Sequence, residues 1–240
     1  MENLSISDKH KKILKSFTDD LLKVYNEELV SVVLYGSAAS GEFVDKHSNF
    51  NLLIVLKSTG FGDLKKSSKV LQKFKMLNAL FLTESYILSS LDIFAIEFLD
   101  MQENHFVLYG KDILKDIHVD ISNLRFQCEQ ELKQKLLKLQ HAYLRSGDSP
   151  HILNSLLFSS FTSILHILRN VLRLKGITPP YLKHEIIKEL TLQFNINSST
   201  WEKILGARNK EIKLNAHESE ELFADFTKEV KALISIVDGM

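Results

Sequence analysis

The sequence predicts an α+β fold, with a sheet and its flanking helices over residues 1–120 and a helical bundle over residues 121–240. Three observations carry that reading. Two short apolar runs, 30–35 and 52–56, have the length and composition of buried strands. Past Asp120 such runs stop, and apolar residues return every three or four positions instead. Cap-like residues then punctuate the second half at intervals that suit helices joined by short turns.

The first element is a helix over 7–28, with Ile13, Leu14, Phe17, Leu21, Leu22 and Tyr25 on its apolar side and Ser7 as its cap. It leads into the strand 30–35. Gly36-Ser37 permits a sharp change of direction, and Ala38 and Ala39 allow close backbone approach. A short helix starting here would offer backbone N–H groups to a phosphate, although the same residues also suit a plain strand-to-helix turn. Residues 41–47 are a polar connection, and His47 has no second histidine at metal-site spacing. In an extended 48–51 run, Asn49 and Asn51 point to one face and Phe50 to the other.

After the strand 52–56, the stripe Leu64, Val70, Leu71, Phe74, Leu77, Leu80 and Phe81 predicts a helix over 64–81. Residues 89–100 then predict a third strand. Phe94, Ile96 and Phe98 would share one face, and Ala95, Glu97 and Leu99 the other. A charge in such a strand needs a partner, a metal or water, so Glu97 is expected either in a cleft or on a solvated edge. A short strand over 105–109 runs into Gly110, a short helix follows over 112–117, and Asp120 caps what comes next.

In the second half, Leu124, Cys128, Leu132, Leu136, Leu139 and Tyr143 stripe a helix that ends before Gly147. Ser149-Pro150 opens another. Its run over 152–174 is apolar on more than one side, as in the central helix of a bundle, and its Asn154, His166, Arg169, Asn170 and Arg173 argue against a membrane span. Thr178-Pro179-Pro180 opens a third helix, Ser199 with Glu202 has capping-box spacing for a fourth, and Asn215 with Glu218 for a fifth. Arg169, Arg173 and Lys175 gather at the end of the central helix. Positive charge there complements the helix dipole, or meets a phosphate.

Thirty basic residues balance thirty acidic ones, which offers no general nucleic-acid footprint. A single cysteine, Cys128, excludes an intramolecular disulfide and any multi-cysteine metal site; its neighbours suggest a buried packing residue. No apolar segment follows the charged N-terminal residues, so neither a secretory signal nor a membrane partner is expected, and the expected location is cytoplasmic.

The stretch YGSAASGEFVDKHSNFNLLIVL resembles the signature of the nucleotidyltransferase superfamily, which includes the aminoglycoside nucleotidyltransferases and the polymerase-beta-like fold. The resemblance covers roughly residues 21–110 and implies a nucleotidyltransferase-like mixed sheet, with the helical remainder as an accessory bundle. Members carry a glycine-serine pair after the first strand, two aspartates one residue apart on the next strand, and a third carboxylate on a later strand. Gly36 and Ser37 match the pair. Asn49 and Asn51 stand where the aspartates belong. Glu97 is the best match for the third carboxylate, with Asp92 less well placed.

The resemblance therefore implies Gly36, Ser37, Asn49 and Asn51 as nucleotide-binding residues and Glu97 as the catalytic carboxylate, with no metal ligand assigned. Family members hold divalent metal on the aspartates, and asparagine supplies no net charge to Mg²⁺. The expected function is a nucleotidyltransferase-fold protein that is inactive or weakened and retains a cleft for a nucleoside triphosphate or a protein partner. The alternatives are an active Mg²⁺-dependent transferase, using Glu97 with Glu42, Asp45 or Asp92, and a protein-interaction module.

Overall fold

The computed structural model describes residues 4–40, 49–146 and 149–240. The polar connection after Ser40, with Glu42, Asp45, His47 and Ser48, and the helix-ending Gly147 lie outside the described residues. Contacts group the chain into two compact units, Met1–Asp120 and Ile121–Met240.

In the first unit, helix α1 (Asp8–Tyr25) is capped by Ser7, whose hydroxyl accepts from the His10 amide at 3.4 Å, and it buries Leu14, Phe17, Leu21 and Tyr25 at helical spacing. Strand β1 (Leu29–Tyr35) follows, then the four-residue helix α2 (Ser37–Ser40) and strand β2 (Phe50–Leu56). Helix α3 (Phe61–Leu71) leads to strand β3 (Leu77–Thr83), helices α4 (Glu84–Ser89) and α5 (Ala95–Glu103), and strand β4 (His105–Gly110). The strands form one mixed sheet in the order β3-β2-β1-β4. The β1–β2 and β1–β4 pairs are antiparallel, and β2–β3 is parallel.

The central strands read as continuous apolar runs because both faces of the sheet are covered. On one face Leu34, Phe50, Leu52 and Ile54 pack with Leu14, Phe17 and Leu21 of α1 and Val70 of α3. On the other, Val33, Leu53 and Val55 pack with Ile87, Phe98, Met101 and Leu114.

Three predicted elements are overturned here. The stretch 64–81 is a helix only as far as Leu71, and its last part is strand β3. Leu77, Leu80 and Phe81 satisfy either period; what selects the strand is the parallel ladder with β2, which pairs Phe50 with Leu77 through to Leu56 with Thr83. The stretch 89–100 is no strand: α4 ends within it and α5 begins at Ala95. Buried Ala95, Ile96, Phe98 and Met101 follow a helical period across that start. Residues 112–117 form turns, with no helix.

The second unit consists, among its described residues, of α6 (Ile121–Ser146), α7 (Pro150–Leu174), α8 (Lys183–Phe194), α9 (Ser198–Arg208) and α10 (Ala216–Asp238). Pro150 occupies the first turn of α7, and Asn215 with Glu218 closes a reciprocal capping box on α10. The other two predicted starts shift. Helix α8 begins at Lys183, after the two prolines, and α9 at Ser198 with Asn197 at the cap position and no side-chain cap bond. Cys128 is fully buried in α6. Helix α7 is long and apolar enough to cross a membrane by length and composition, yet it contacts each of the other four helices of this unit. Its Phe161 packs against Trp201 and Phe226, and Trp201 meets Phe226 edge-on at 5.1 Å between ring centres.

Two predictions come from this framework. Gly110 ends β4 at φ +77°, and a Cβ there would lie 2.1 Å from the Val30 carbonyl oxygen. Gly110→Ala is expected to cost about 3 kcal/mol or more, combining left-handed strain with a backbone clash; an unchanged urea midpoint would contradict this. On α6, the Lys133 ammonium, with the Arg125 guanidinium, holds the Glu129 carboxyl down to about 2 from an ordinary 4.5. The unfolded chain therefore binds the extra proton between those values, so this group's stabilisation is complete above pH 4.5 and is lost as pH falls through about 2. The stability difference between wild type and Glu129→Gln should shrink between pH 6 and about pH 2, measured by denaturant titration at each pH.

Candidate functional site

At one end of the sheet the ladders set a polar residue from each strand in a single row. Asn78 of β3 pairs with Asn51 of β2, Asn51 with Tyr35 of β1, and Tyr35 with His105 of β4. The row lies on the face that carries Val33, Leu53, Leu82 and Val107 further along. Phe50 and Leu52, on either side of Asn51, are fully buried on the opposite face, which commits Asn51 to this one.

Within the row, Asn78 Nδ2 donates to Asn51 Oδ1 at 3.1 Å. Tyr35 is half-buried, and that burial pushes its phenol upward, so it stays a neutral hydroxyl. His105 is occupied on both ring nitrogens: Nδ1 lies 2.9 Å from the Gln102 carbonyl and Nε2 3.0 Å from Asp112 Oδ1. The Asp112 carboxylate also accepts the Leu114 and Lys115 amides. The histidine thus ties β4 to the chain that follows it.

Gly36 comes directly after Tyr35, with φ +76°. Its N–H donates to the Asn104 carbonyl at 3.2 Å, and its own carbonyl accepts from the Ala39 amide at 2.8 Å, which starts α2. A Cβ at Gly36 would stand 3.4 Å from Asn51 Nδ2. Of the residues expected at the site, Gly36 and Asn51 are therefore adjacent, and Ser37 is the first residue of α2. Asn49 is exposed and sits one residue ahead of β2.

Glu97 is corrected. It lies in the first turn of α5, exposed to solvent, and the strand that was to aim it into a cleft does not exist. Asp92 is in the turn before α5. The residue on the strand beside Asn51 is Asn78, which the helical reading of 64–81 concealed. Its signal was the alternation of Leu77, Ala79 and Phe81 against Asn78, Leu80 and Leu82.

Arg169 is also placed. It is 5% exposed, its Nε donates to the Pro180 carbonyl at 3.0 Å, and its guanidinium lies 4.0 Å from the centre of the Tyr181 ring. These contacts make it a brace between α7 and the proline turn. Arg173 donates to Asn170 Oδ1, and the Lys175 ammonium is 5.8 Å from the Phe194 ring centre.

Among the described residues, the donor set at this end of the sheet does not fit a divalent cation of the hard, oxygen-seeking kind. Asn49, Asn51 and Asn78 bring no negative charge, and the Asn51 carbonyl oxygen is already taken. Among the described residues no group of three or more His, Cys, Asp or Glu side chains could hold a metal ion.

The four-stranded mixed sheet with flanking helices, followed by a helical region, is a fold that a solved nucleotidyltransferase structure shares. The chain is similar to the spectinomycin adenyltransferase AAD(9) from Enterococcus faecialis, whose crystal structure was determined with ATP and spectinomycin. The match has a TM-score of 0.60 and 13% identity over 92% of this chain and 99% of that one. No protein-family model matches the chain, and no curated protein does.

Replacing Asn51 and Asn78 together by aspartate would exchange a hydrogen bond for two facing carboxylates. We expect the double variant to lose about 1–2 kcal/mol in EDTA, from the lost bond and like-charge repulsion, and to recover it with Mn²⁺ or Mg²⁺. Melting curves with and without metal check this; a variant indifferent to metal would show that the two side chains do not share one site.

Proposed function

We propose that the chain is a nucleotidyltransferase-fold protein that is catalytically inactive or severely weakened and that keeps a nucleotide site at the Gly36 end of the sheet. The observation that carries this reading is the Asn51–Asn78 hydrogen bond, an amide pair on adjacent strands where metal-dependent transfer needs carboxylates. Phosphoryl transfer depends on metal ions that hold the triphosphate and neutralise the charge moving to the leaving group. Asparagine oxygens are weak partners for that task because they add no charge.

In this reading Gly36, Ser37, Asn49 and Asn51 contact the nucleotide. Glu97, exposed on α5, is left without a metal to work beside. The fold neighbour was crystallised with ATP, which makes ATP the first nucleotide to try. A cytoplasmic setting belongs to the same proposal.

The test is a pyrophosphate-release assay with each of the four nucleoside triphosphates, Mg²⁺ and a panel of hydroxyl acceptors including aminoglycosides. No release above the protein-free control is expected. Mg²⁺-dependent release would overturn the proposal in favour of an active transferase, and calorimetry showing no nucleotide binding under any condition would leave a protein-interaction module.

A further inference from the structure

Strand β3 ends the sheet, and its pairing with β2 fixes which of its main-chain groups point outward. The Phe50 N–H donates to the Met76 carbonyl at 3.0 Å and Phe50 pairs with Leu77, so in this parallel ladder the main-chain groups of Asn78, Leu80 and Leu82 are directed to β2. Those of Leu77, Ala79, Phe81 and Thr83 are directed the other way. The Leu77 N–H is met by the Phe74 carbonyl at 3.0 Å. What remains is the Leu77 carbonyl, both groups of Ala79 and of Phe81, and the Thr83 N–H. Among the described residues no strand pairs with this side, and residues 79–83 lie along 52–56, away from the Gly36 end of the sheet.

Natural edge strands are commonly blunted by charge, proline or a bulge. Strand β3 uses none of these: residues 76–83 are uncharged and free of proline, and the ladder with β2 runs without a register shift. Leu80, in the middle of the strand, is 41% exposed. On the α3 side a groove of about 420 Å³, lined by Leu64, Leu71, Phe74, Leu77 and Phe81, continues the apolar surface.

This edge is complementary to itself. In an antiparallel pairing that sets Leu80 opposite Leu80 of a second copy, Ala79 falls opposite Phe81 and Thr83 opposite Leu77. Ala79 and Phe81 then exchange both of their hydrogen bonds, and each Thr83 N–H reaches a Leu77 carbonyl, which uses the whole outward set. A small side chain meets a large one, and the exposed leucines meet at the two-fold axis. The ends also agree in sign. Lys75 ahead of one strand approaches the end of the other copy's strand, where Glu84 holds Lys111 at 2.6 Å, whereas parallel pairing would set like charges together.

We propose that two copies of this chain associate through β3, antiparallel about Leu80, into one continuous sheet. The same register places the partner's Leu82 beside Asn78, so association covers the flank of the Asn51–Asn78 bond. The inference does not depend on the nucleotide reading.

The experiment is sedimentation equilibrium of the full chain across a dilution series, with amide hydrogen exchange at both ends of the series. Wild type is expected to dimerise reversibly. Its Ala79 and Phe81 amides should be protected in the concentrated sample and not in the dilute one, while Leu80 and Leu82, bonded to β2, stay protected in both. Leu80→Lys changes an exposed side chain and should raise the dimer dissociation constant at least about tenfold, with circular dichroism reporting that it is folded. Leu80→Cys should form a disulfide-linked dimer in oxidised glutathione, because opposed residues of this kind have Cα atoms about 4.5 Å apart. Phe61→Cys, on α3 and 84% exposed, should not, and buried Cys128 serves as an internal control.

A wild type that stays monomeric at every concentration would overturn the inference. With the Ala79 and Phe81 amides then protected throughout, the occupant of the edge is another segment of this chain; with them exchanging freely, it is a different protein or none. A dimer that Leu80→Lys leaves equally tight, or Leu80→Cys cross-linking no faster than Phe61→Cys, would overturn the β3 assignment and move the contact between copies to another face.

Discussion

Tyr35 and Asn51 face each other across the β1–β2 ladder, and the apolar pairs behind them hold that register: Leu34 with Leu52, Val33 with Leu53, Val32 with Ile54. The side chains of these apolar pairs are fully buried. A slip of one residue would exchange the two faces of β2, bringing Phe50 out of the core and Asn51 into it, at a cost of several buried side chains of about 1.5–3 kcal/mol each. The polar row at the sheet's end is therefore held in place by the apolar core behind it. Gly36 and Asn78 reach Asn51 only because that ladder ends where it does.

What the row can do follows from its lack of charge. Carboxylates on neighbouring strands repel one another and gain from a shared cation; two amides in the same place satisfy each other. The Asn51–Asn78 bond thus joins β2 to β3 at this end of the sheet without adding charge. It also fixes which end of the Asn51 amide faces Asn78. In a carboxylate the two oxygens are equivalent acceptors, whereas an amide has a donor end and an acceptor end, so its orientation carries chemical meaning.

The second unit shows how a basic cluster in sequence divides in three dimensions. Arg169, Arg173 and Lys175 look alike as a patch near a helix end, but Arg169 is enclosed against the Pro179 and Pro180 carbonyls and the Tyr181 ring. A planar guanidinium suits that setting, since it stacks and forks at once. The aromatic group of Phe161, Trp201 and Phe226 occupies the middle of the same unit, joining α7, α9 and α10.

The sequence by itself determined the elements whose signals are local. The Ser7 cap, Pro150 in the first turn of α7, the Asn215–Glu218 box and the unbroken apolar runs of β1 and β2 each depend on residues a few positions apart, so they are legible before any partner is known. Gly36, Ser37 and Asn51 were legible for the same reason, lying at the ends of those two runs. Tertiary structure decided the rest. Residues 77–83 fit a helix or a strand until β2 lies alongside them, and Glu97 fit a strand until Ala95, Ile96, Phe98 and Met101 were buried together as one helical side. Asn78 enters the site through a parallel pairing 27 residues away in sequence, and Asn104 through a bond to the Gly36 amide. No local pattern encodes which strand will be a neighbour, because that choice is made by the burial of whole faces against each other.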